Sequence, residues 1–281
     1  MNLRRRSLLG AVIMIAAGLL SVGPRADAAD RFIVLQSTTS TENSGLFKHL
    51  LPKFTAKTGI EVRVVAVGTG QAIKNAENGD GDVLLVHSKA DEEKFVAAGF
   101  GVARFDVMYN DYVVIGPASD PAGIKGTATA VEALKKIAAA SQPFVSRGDD
   151  SGTHKAEMKL WAAAGVDAKS ASGTWYREAG QGMGGTLNTA AGMNAYVLSD
   201  RATWSAFANR QGLALLVEGD KALFNQYGVI LVDPKRHPNV KAADGQAFVH
   251  WILSKEGQEA IASFVIDGKQ QFFPNARKAA E

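Results

Sequence analysis

Short, uninterrupted apolar runs alternate with amphipathic stretches along most of this chain. Residues 31–36 carry Phe-Ile-Val-Leu, residues 60–67 are rich in valine, and residues 82–87 contain Val-Leu-Leu-Val. Runs of this length predict strands buried on both faces, as in a parallel sheet. Between them, residues 45–57 place Leu46, Leu50, Leu51 and Phe54 at helical spacing. Residues 71–78 and 89–98 predict two more helices, the second stopped by Gly99. Pro52 predicts a kink in the first helix.

Beyond residue 100 the pattern changes. Residues 107–109 and 112–115 predict two short strands joined by Asn110-Asp111, with Pro117 following. Thr129 is placed to cap a helix over 130–140. Further strands are expected at 143–145, 174–177 and 228–232, helices at 155–164, 245–253 and 257–266, and further elements at 187–193, 200–208 and 213–217. Alternating strands and helices predict an α/β fold. No linker or repeat separates two halves, so the expected division is discontinuous. One lobe takes residues 29–110 plus 230–281 and the other residues 111–229. Two short crossover strands, near 109–112 and 227–230, would join them. Ligands of open α/β sheets sit at the carboxyl ends of strands, and two such lobes face to face form a cleft that closes on a hinge.

The N-terminus reads differently. Arg4-Arg5-Arg6 precede an apolar stretch from Leu8 to about Val22, and Ala26-Asp27-Ala28 follows. This is the grammar of a secretory signal peptide, residues 1–28, cleaved near Ala28. The stretch falls short of the ~20 residues of a spanning helix, and the arginines leave Sec and twin-arginine export both open. The leader holds four of the 31 Lys+Arg and one of the 28 Asp+Glu. The remainder is therefore electrically balanced, which removes the electrostatic footprint of a nucleic-acid binder. There is no cysteine, so disulfides, thiolate catalysis, Cys-ligated metal and a lipoprotein anchor are excluded. No later stretch is long and apolar enough to span a membrane.

The candidate chemistry lies in three loops of one design: a strand, then Gly, Ser and Thr, then a helix start. The first is Ser37-Thr38-Thr39-Ser40-Thr41, the second Gly68-Thr69-Gly70-Gln71, and the third Ser146-Arg147-Gly148-Asp149-Asp150-Ser151-Gly152-Thr153-His154. The first amides of a helix have no intrahelical acceptor and sit at its positive end, which suits an anion. Hydroxyls add compact donors. Helix capping and tight turns explain many of these residues equally well. Capping does not call for Arg147. The first two loops fall in one expected lobe and the third in the other, so an anion could bridge the cleft. Asp149 and Asp150 either balance charge and cap the helix or accept a proton from a protonated anion.

Other motifs point elsewhere. Gly180-Gln181-Gly182-Met183-Gly184-Gly185 matches G-x-G-x-x-G, but residues 174–178 before it do not read as a buried parallel strand, so a cleft-facing or packing glycine loop is expected instead of a dinucleotide site. Ser151 with His154 allows an exported serine hydrolase, although no G-x-S-x-G elbow is present. His49, His87, His237 and His250 show no metal-ligand spacing and read as surface or packing residues. No Walker loop appears, so ATP use would belong to a partner.

Taken together, Thr38-Thr39-Ser40-Thr41, Gly68-Thr69-Gly70-Gln71, Asp82-Val-Leu-Leu-Val-His87, Met108-Tyr-Asn-Asp111, residues 146–154, and Trp175-Tyr-Arg-Glu178 with Gly180-Gln-Gly-Met183 resemble the TupA-type tungstate-binding periplasmic proteins. The resemblance covers residues 30–275. It implies the type II periplasmic-binding-protein fold and a monomeric, non-enzymatic receptor in the periplasm. It also implies delivery to an ABC permease and its ATPase, with tungstate held between two lobes and molybdate held more weakly. No cofactor is implied, and no residue ligates the metal directly, since tungsten is bound as its oxyanion. The implied contacts are Thr38, Thr39, Ser40, Thr69, Gly70, Ser146, Arg147, Ser151, Gly152 and Thr153. Residues 147–153 are also similar to the Arg-Ser-Asp-Gly-Ser-Gly-Thr segment of phosphate-binding proteins, whose aspartate accepts the proton of hydrogen phosphate. A phosphate receptor of the same fold is therefore the alternative.

Overall fold

The computed structural model describes residues 31–276. The expected signal peptide lies outside them. The elements run β1 (Phe32–Thr38), α1 (Thr39–Asn43), α2 (Leu46–Thr58), β2 (Glu61–Val67), α3 (Thr69–Glu77), β3 (Val83–Val86), α4 (Lys89–Ala97) and β4 (Gly101–Pro117). Then come α5 (Ala130–Ala139), β5 (Phe144–Ser146), α6 (Gly152–Ala163), β6 (Tyr176–Glu178), α7 (Met183–Met193), β7 (Tyr196–Asp200), α8 (Arg201–Ala206) and β8 (Leu213–Val217). The chain closes with β9 (Phe224–Val232), α9 (Ala242–Leu253), α10 (Lys255–Ala262), and the short strands β10 (Val265–Ile266), β11 (Lys269–Gln270) and β12 (Phe273–Pro274).

The strand order is β2-β1-β3-β9-β4-β7-β5-β6, with β8 and β12 also pairing with β4. β1 is parallel to β2 and β3, and β5 is parallel to β6 and β7. The two parallel groups are joined through antiparallel β9 and β4. Each group is the sheet of one lobe, with helices on both faces. β1 and β3 are apolar on both faces because both are covered. Ile33, Leu35, Phe54, Phe248 and Trp251 pack in one cluster, and Ala72, Leu84, Val86, Phe95 and Ile230 in another. The second lobe repeats this with Phe144, Trp161, Tyr176 and Tyr196 on one side and Val113, Val145, Leu187 and Val197 on the other. Trp161 meets the Phe144 ring edge-on at 5.1 Å, an arrangement worth about 0.5–1.5 kcal/mol beyond burial alone.

β4 differs from expectation. The two short strands predicted at 107–109 and 112–115 are one strand of 17 residues. Asn110 and Asp111 have turn composition, yet both stay in register with β9, opposite Asn225 and Phe224. Their side chains have long-range partners. Asn110 Oδ1 accepts from Asn225 Nδ2 at 2.7 Å, and Asp111 takes two hydrogen bonds from Arg201. At Tyr112 the strand passes from pairing with β9 to pairing with β7. β7 was not expected at all; its five residues, all buried, follow directly on the left-handed Asn194 that ends α7. The helix expected over 257–266 stops at Ala262, and a two-residue hairpin replaces its last turn.

Candidate oxyanion-binding site

The carboxyl ends of β1, β2 and β5 each deliver a Ser/Thr/Gly loop to the junction between the lobes. α1 begins at Thr39, α3 at Thr69 and α6 at Gly152. The early amides of these helices lack acceptors by helix geometry. Thr38, Ser40, Thr69, Ser146, Arg147, Ser151 and Thr153 are all at most 1% exposed. Burying so many polar groups is costly unless they are bonded to each other or to a ligand.

Arg147 ties the site together. It reaches from β5 into the other lobe, where Nη1 donates to Ser40 Oγ at 2.9 Å and Nη2 to Thr39 Oγ1 at 3.0 Å. Nη2 also donates to Asp149 Oδ2 at 2.5 Å. A planar fork of donors allows one side chain to hold three oxygens at fixed angles. A second interlobe bond runs from Gly152 N to Thr69 Oγ1 at 2.9 Å. Outside this shell, Lys155 Nζ on α6 pairs with Asp91 Oδ2 on α4 at 2.8 Å, and Thr203 Oγ1 donates to the Ser40 carbonyl at 3.0 Å.

Local conformation aims the third loop. Gly148 has φ +60°, and a Cβ there would lie 2.8 Å from Glu178 Cβ. Only glycine takes both that conformation and that contact without strain. At Gly152 the reason is approach rather than φ, since a Cβ would stand 3.0 Å from His87 Cε1, Nδ1 and carbonyl oxygen.

The residues expected at the site divide into two groups. Thr39, Ser40, Thr69, Arg147 and Gly152 contact one another across the lobes, and Gly70 abuts Asp150. Thr38, Ser146 and Ser151 accept bonds from their own loops. Thr38 Oγ1 takes Thr41 N, Ser146 Oγ takes Gly148 N, and Ser151 Oγ takes His154 N. Accepting leaves the Ser151 hydroxyl hydrogen available to donate, whereas Thr38 Oγ1 also bonds Thr41 Oγ1 at 2.9 Å and the Ser146 hydroxyl bonds Glu157. Arg147 Nε is buried with no hydrogen-bond partner among the described residues, which is costly for a group of this kind. An unpaired charged donor among convergent amides and hydroxyls fits a ligand rich in acceptors.

Asp149 faces Arg147, with its Oδ1 accepting from Ser151 N at 3.3 Å. Both carboxylate oxygens are thus used by the protein itself. His154 accepts at Nδ1 from Asp150 N, 3.1 Å away, and not from the Ser151 hydroxyl; the side-chain pairing a serine hydrolase needs is not formed. Burial pushes the Asp200 carboxyl up to about 6, against the opposing pull of its two bonds from Thr203 and of Arg147. Among the described residues, no cluster of His, Asp and Glu is placed to hold a metal ion.

The glycine loop at 180–185, expected to face the cleft or to pack, sets Gly182 against Thr39 of the other lobe, where a Cβ would meet Oγ1 at 3.0 Å. Against expectation, β6 before it is a parallel edge strand beside β5. His87, read as a surface or packing residue, is 4% exposed at the cleft floor beside Gly152. Its position at the carboxyl end of β3 was the available signal.

Comparison with known proteins follows the same lines. The family model of the PBP superfamily domain matches residues 23–256. The chain is 46% identical over 287 residues to the tungstate-binding protein TupA of Peptoclostridium acidaminophilum, covering 98% of this chain and 99% of the relative. Among solved structures it is 49% identical to the tungstate-binding protein TupA of Desulfovibrio alaskensis, with a TM-score of 0.73 over 88% of this chain and all of that one. It is 48% identical to the tungstate ABC transporter protein of Geobacter sulfurreducens, with a TM-score of 0.76 over 83% and 98%.

Proposed function

This chain belongs to the TupA family of tungstate-binding proteins within the PBP superfamily, and from that premise we propose that it captures tungstate in the periplasm for an ABC importer. The observation that carries this reading is the buried fork of Arg147 joined to Thr39 and Ser40 of the opposite lobe, with Arg147 Nε unpartnered among the described residues. A tetrahedral oxyanion presents only acceptors, and this site offers mainly donors. Arg147 supplies the full charge and a bidentate fork. The hydroxyls of Thr38, Thr39, Ser40, Thr69, Ser146, Ser151 and Thr153, with the amides of Gly70 and Gly152, supply neutral donors. Binding to both lobes favours the closed arrangement, because a ligand shifts an equilibrium by its differential affinity for the two states.

On this reading residues 1–28 are a signal peptide removed near Ala28, residues 29–110 plus 230–281 form one lobe, and residues 111–229 form the other. The passage of β4 between sheets at Asp111–Tyr112 supports that division. The partners are a permease and its ATPase, the receptor acts as a monomer, and molybdate is the weaker ligand. The protein binds and releases its cargo unchanged. A phosphate receptor is less favoured, since the relatives at 46–49% identity are tungstate-binding proteins and Asp149 is engaged with Arg147 and Ser151.

Calorimetric titration of the purified protein with tungstate, molybdate, sulfate and phosphate tests the proposal. Tungstate should bind most tightly and molybdate next. Tight phosphate binding without tungstate binding would overturn the assignment.

A further inference from the structure

His87 follows β3 and packs under the site. Its Nδ1 lies 3.1 Å from Asn225 Oδ1 and 3.1 Å from Tyr112 Oη. Asn225 Nδ2 is committed to Asn110 Oδ1, so Asn225 presents its oxygen and His87 Nδ1 carries the proton. The lone pair is then on Nε2, which is buried and has no hydrogen-bond partner among the described residues. The ring stacks on Tyr227 at 4.8 Å, and its Nδ1–Cε1 edge faces the first residue of α6, Gly152, where a Cβ would stand 3.0 Å from either atom. A bare acceptor in a site of donors is out of character, because the ligand has no hydrogen to give it.

The charges sharpen the anomaly. Arg147 is already paired with Asp149, so a captured dianion enters a site whose own charges cancel. The ionisable or charged groups around His87 are Tyr112 on β4, Tyr227 on β9, Arg147, and Lys89, Glu93, Lys155 and Lys159 across a cavity of about 580 Å³ that all but Tyr227 and Arg147 line with it. Lys155 is held by Asp91 and Asp150. Arg147, Lys89 and Lys155 thus each have a carboxylate partner.

We propose that oxyanion capture is coupled to uptake of one proton, held at His87 Nε2 and shared with a ligand oxygen. This rests on the oxyanion-receptor reading above. Without ligand the imidazole is neutral, its pKa pushed down to about 4 by burial and then by Arg147. A dianion next to Nε2 favours the charged form and raises that value. The bond gained is N–H to oxyanion, with the proton drawn from solvent and no other bond changed. Between the free and bound pKa values, affinity should fall up to about tenfold for each unit rise in pH.

The test is tungstate titration at pH 6 to 9 in two buffers of different ionisation enthalpy, whose difference in heat counts protons taken up. Uptake approaching one proton near pH 6–7, with affinity falling as pH rises, is expected. His87→Gln should still bind tungstate, more weakly, with the uptake lost and the pH profile flattened. Nitrogen-15 NMR of the imidazoles gives a readout independent of any variant, because Nε2 of His87 should change from the bare to the protonated signature on saturation with tungstate. Tungstate binding without proton uptake, uptake that survives His87→Gln, or an unchanged Nε2 signal would overturn this inference and leave the receptor reading intact. Absence of tungstate binding at every pH would overturn both.

Discussion

Replacing Arg147 with alanine should separate its two roles. The side chain is 1% exposed and makes three hydrogen bonds, to Ser40, Thr39 and Asp149. A hydrogen bond to a charged group contributes ~1.5–3 kcal/mol, so loss of the ligand contact alone should weaken tungstate binding about tenfold to two-hundredfold. Arg147→Ala also strands Asp149, whose side chain is only 15% exposed, beside an incoming dianion. That repulsion puts the single variant at the upper end, about two-hundredfold. The Arg147→Ala/Asp149→Asn double variant removes the repulsion and should recover to about tenfold below the parent. Stability should follow the same logic, since breaking a buried pair costs ~3–5 kcal/mol. Partial exposure of Asp149 sets the expected loss near ~3 kcal/mol, or on the order of 6–12 °C in a chain of this size. Arg147→Lys keeps the charge but cannot fork between Thr39 and Ser40, and should bind about tenfold more weakly than the parent. Calorimetry with tungstate and thermal unfolding read both quantities. Binding of Arg147→Ala within threefold of the parent would refute the site, and a double variant no better than the single would refute the role given to Asp149.

Other perturbations test separate parts of the structure. Thr69→Val removes the acceptor for Gly152 N across the cleft; the loss of ~0.5–1.5 kcal/mol should appear in stopped-flow measurements as faster tungstate release. Gly152→Ala places a Cβ 3.0 Å from the His87 ring and carbonyl, so the lobes should close less fully, with weaker binding and a larger radius of gyration by small-angle scattering in saturating tungstate. Glu157 is buried with Trp161 Nε1 and Tyr176 Oη donating to one oxygen and no cation beside it, and burial pushes its carboxyl up to about 7. The folded state therefore keeps its proton where the unfolded chain has lost it. Stability should fall as pH rises from about 4.5 to 7, by on the order of 3 kcal/mol, and Glu157→Gln should flatten that part of the profile in thermal unfolding.

The apolar runs made β1, β3 and β9 legible because a strand covered on both faces needs little but apolar residues, and β2, an edge strand with no buried residue, was legible from its β-branched composition. The three site loops were legible because strand ends and helix starts carry local signatures in Gly, Ser and Thr. β4 was broken in two by Asn110-Asp111, whose turn composition is overridden by partners at Asn225 and Arg201. β7 was missed because five residues behind a helix end carry too little pattern. His87, read as surface or packing, does pack, but nothing within several residues of it shows that Tyr112, Asn225 and Gly152 close over it.

The sequence by itself determined that this chain builds strands ending in anion-ready loops, since each such unit is specified by residues a few positions apart. Only the tertiary structure decided which loops meet. Arg147 finds Ser40 and Thr39 across separations of 107 and 108 residues, and Gly152 finds Thr69 across 83. Those partners are chosen by how two lobes pack around β4 and β9. Local composition cannot encode that choice, because a hydroxyl capping a turn and a hydroxyl facing a ligand are the same residue until the opposite lobe arrives.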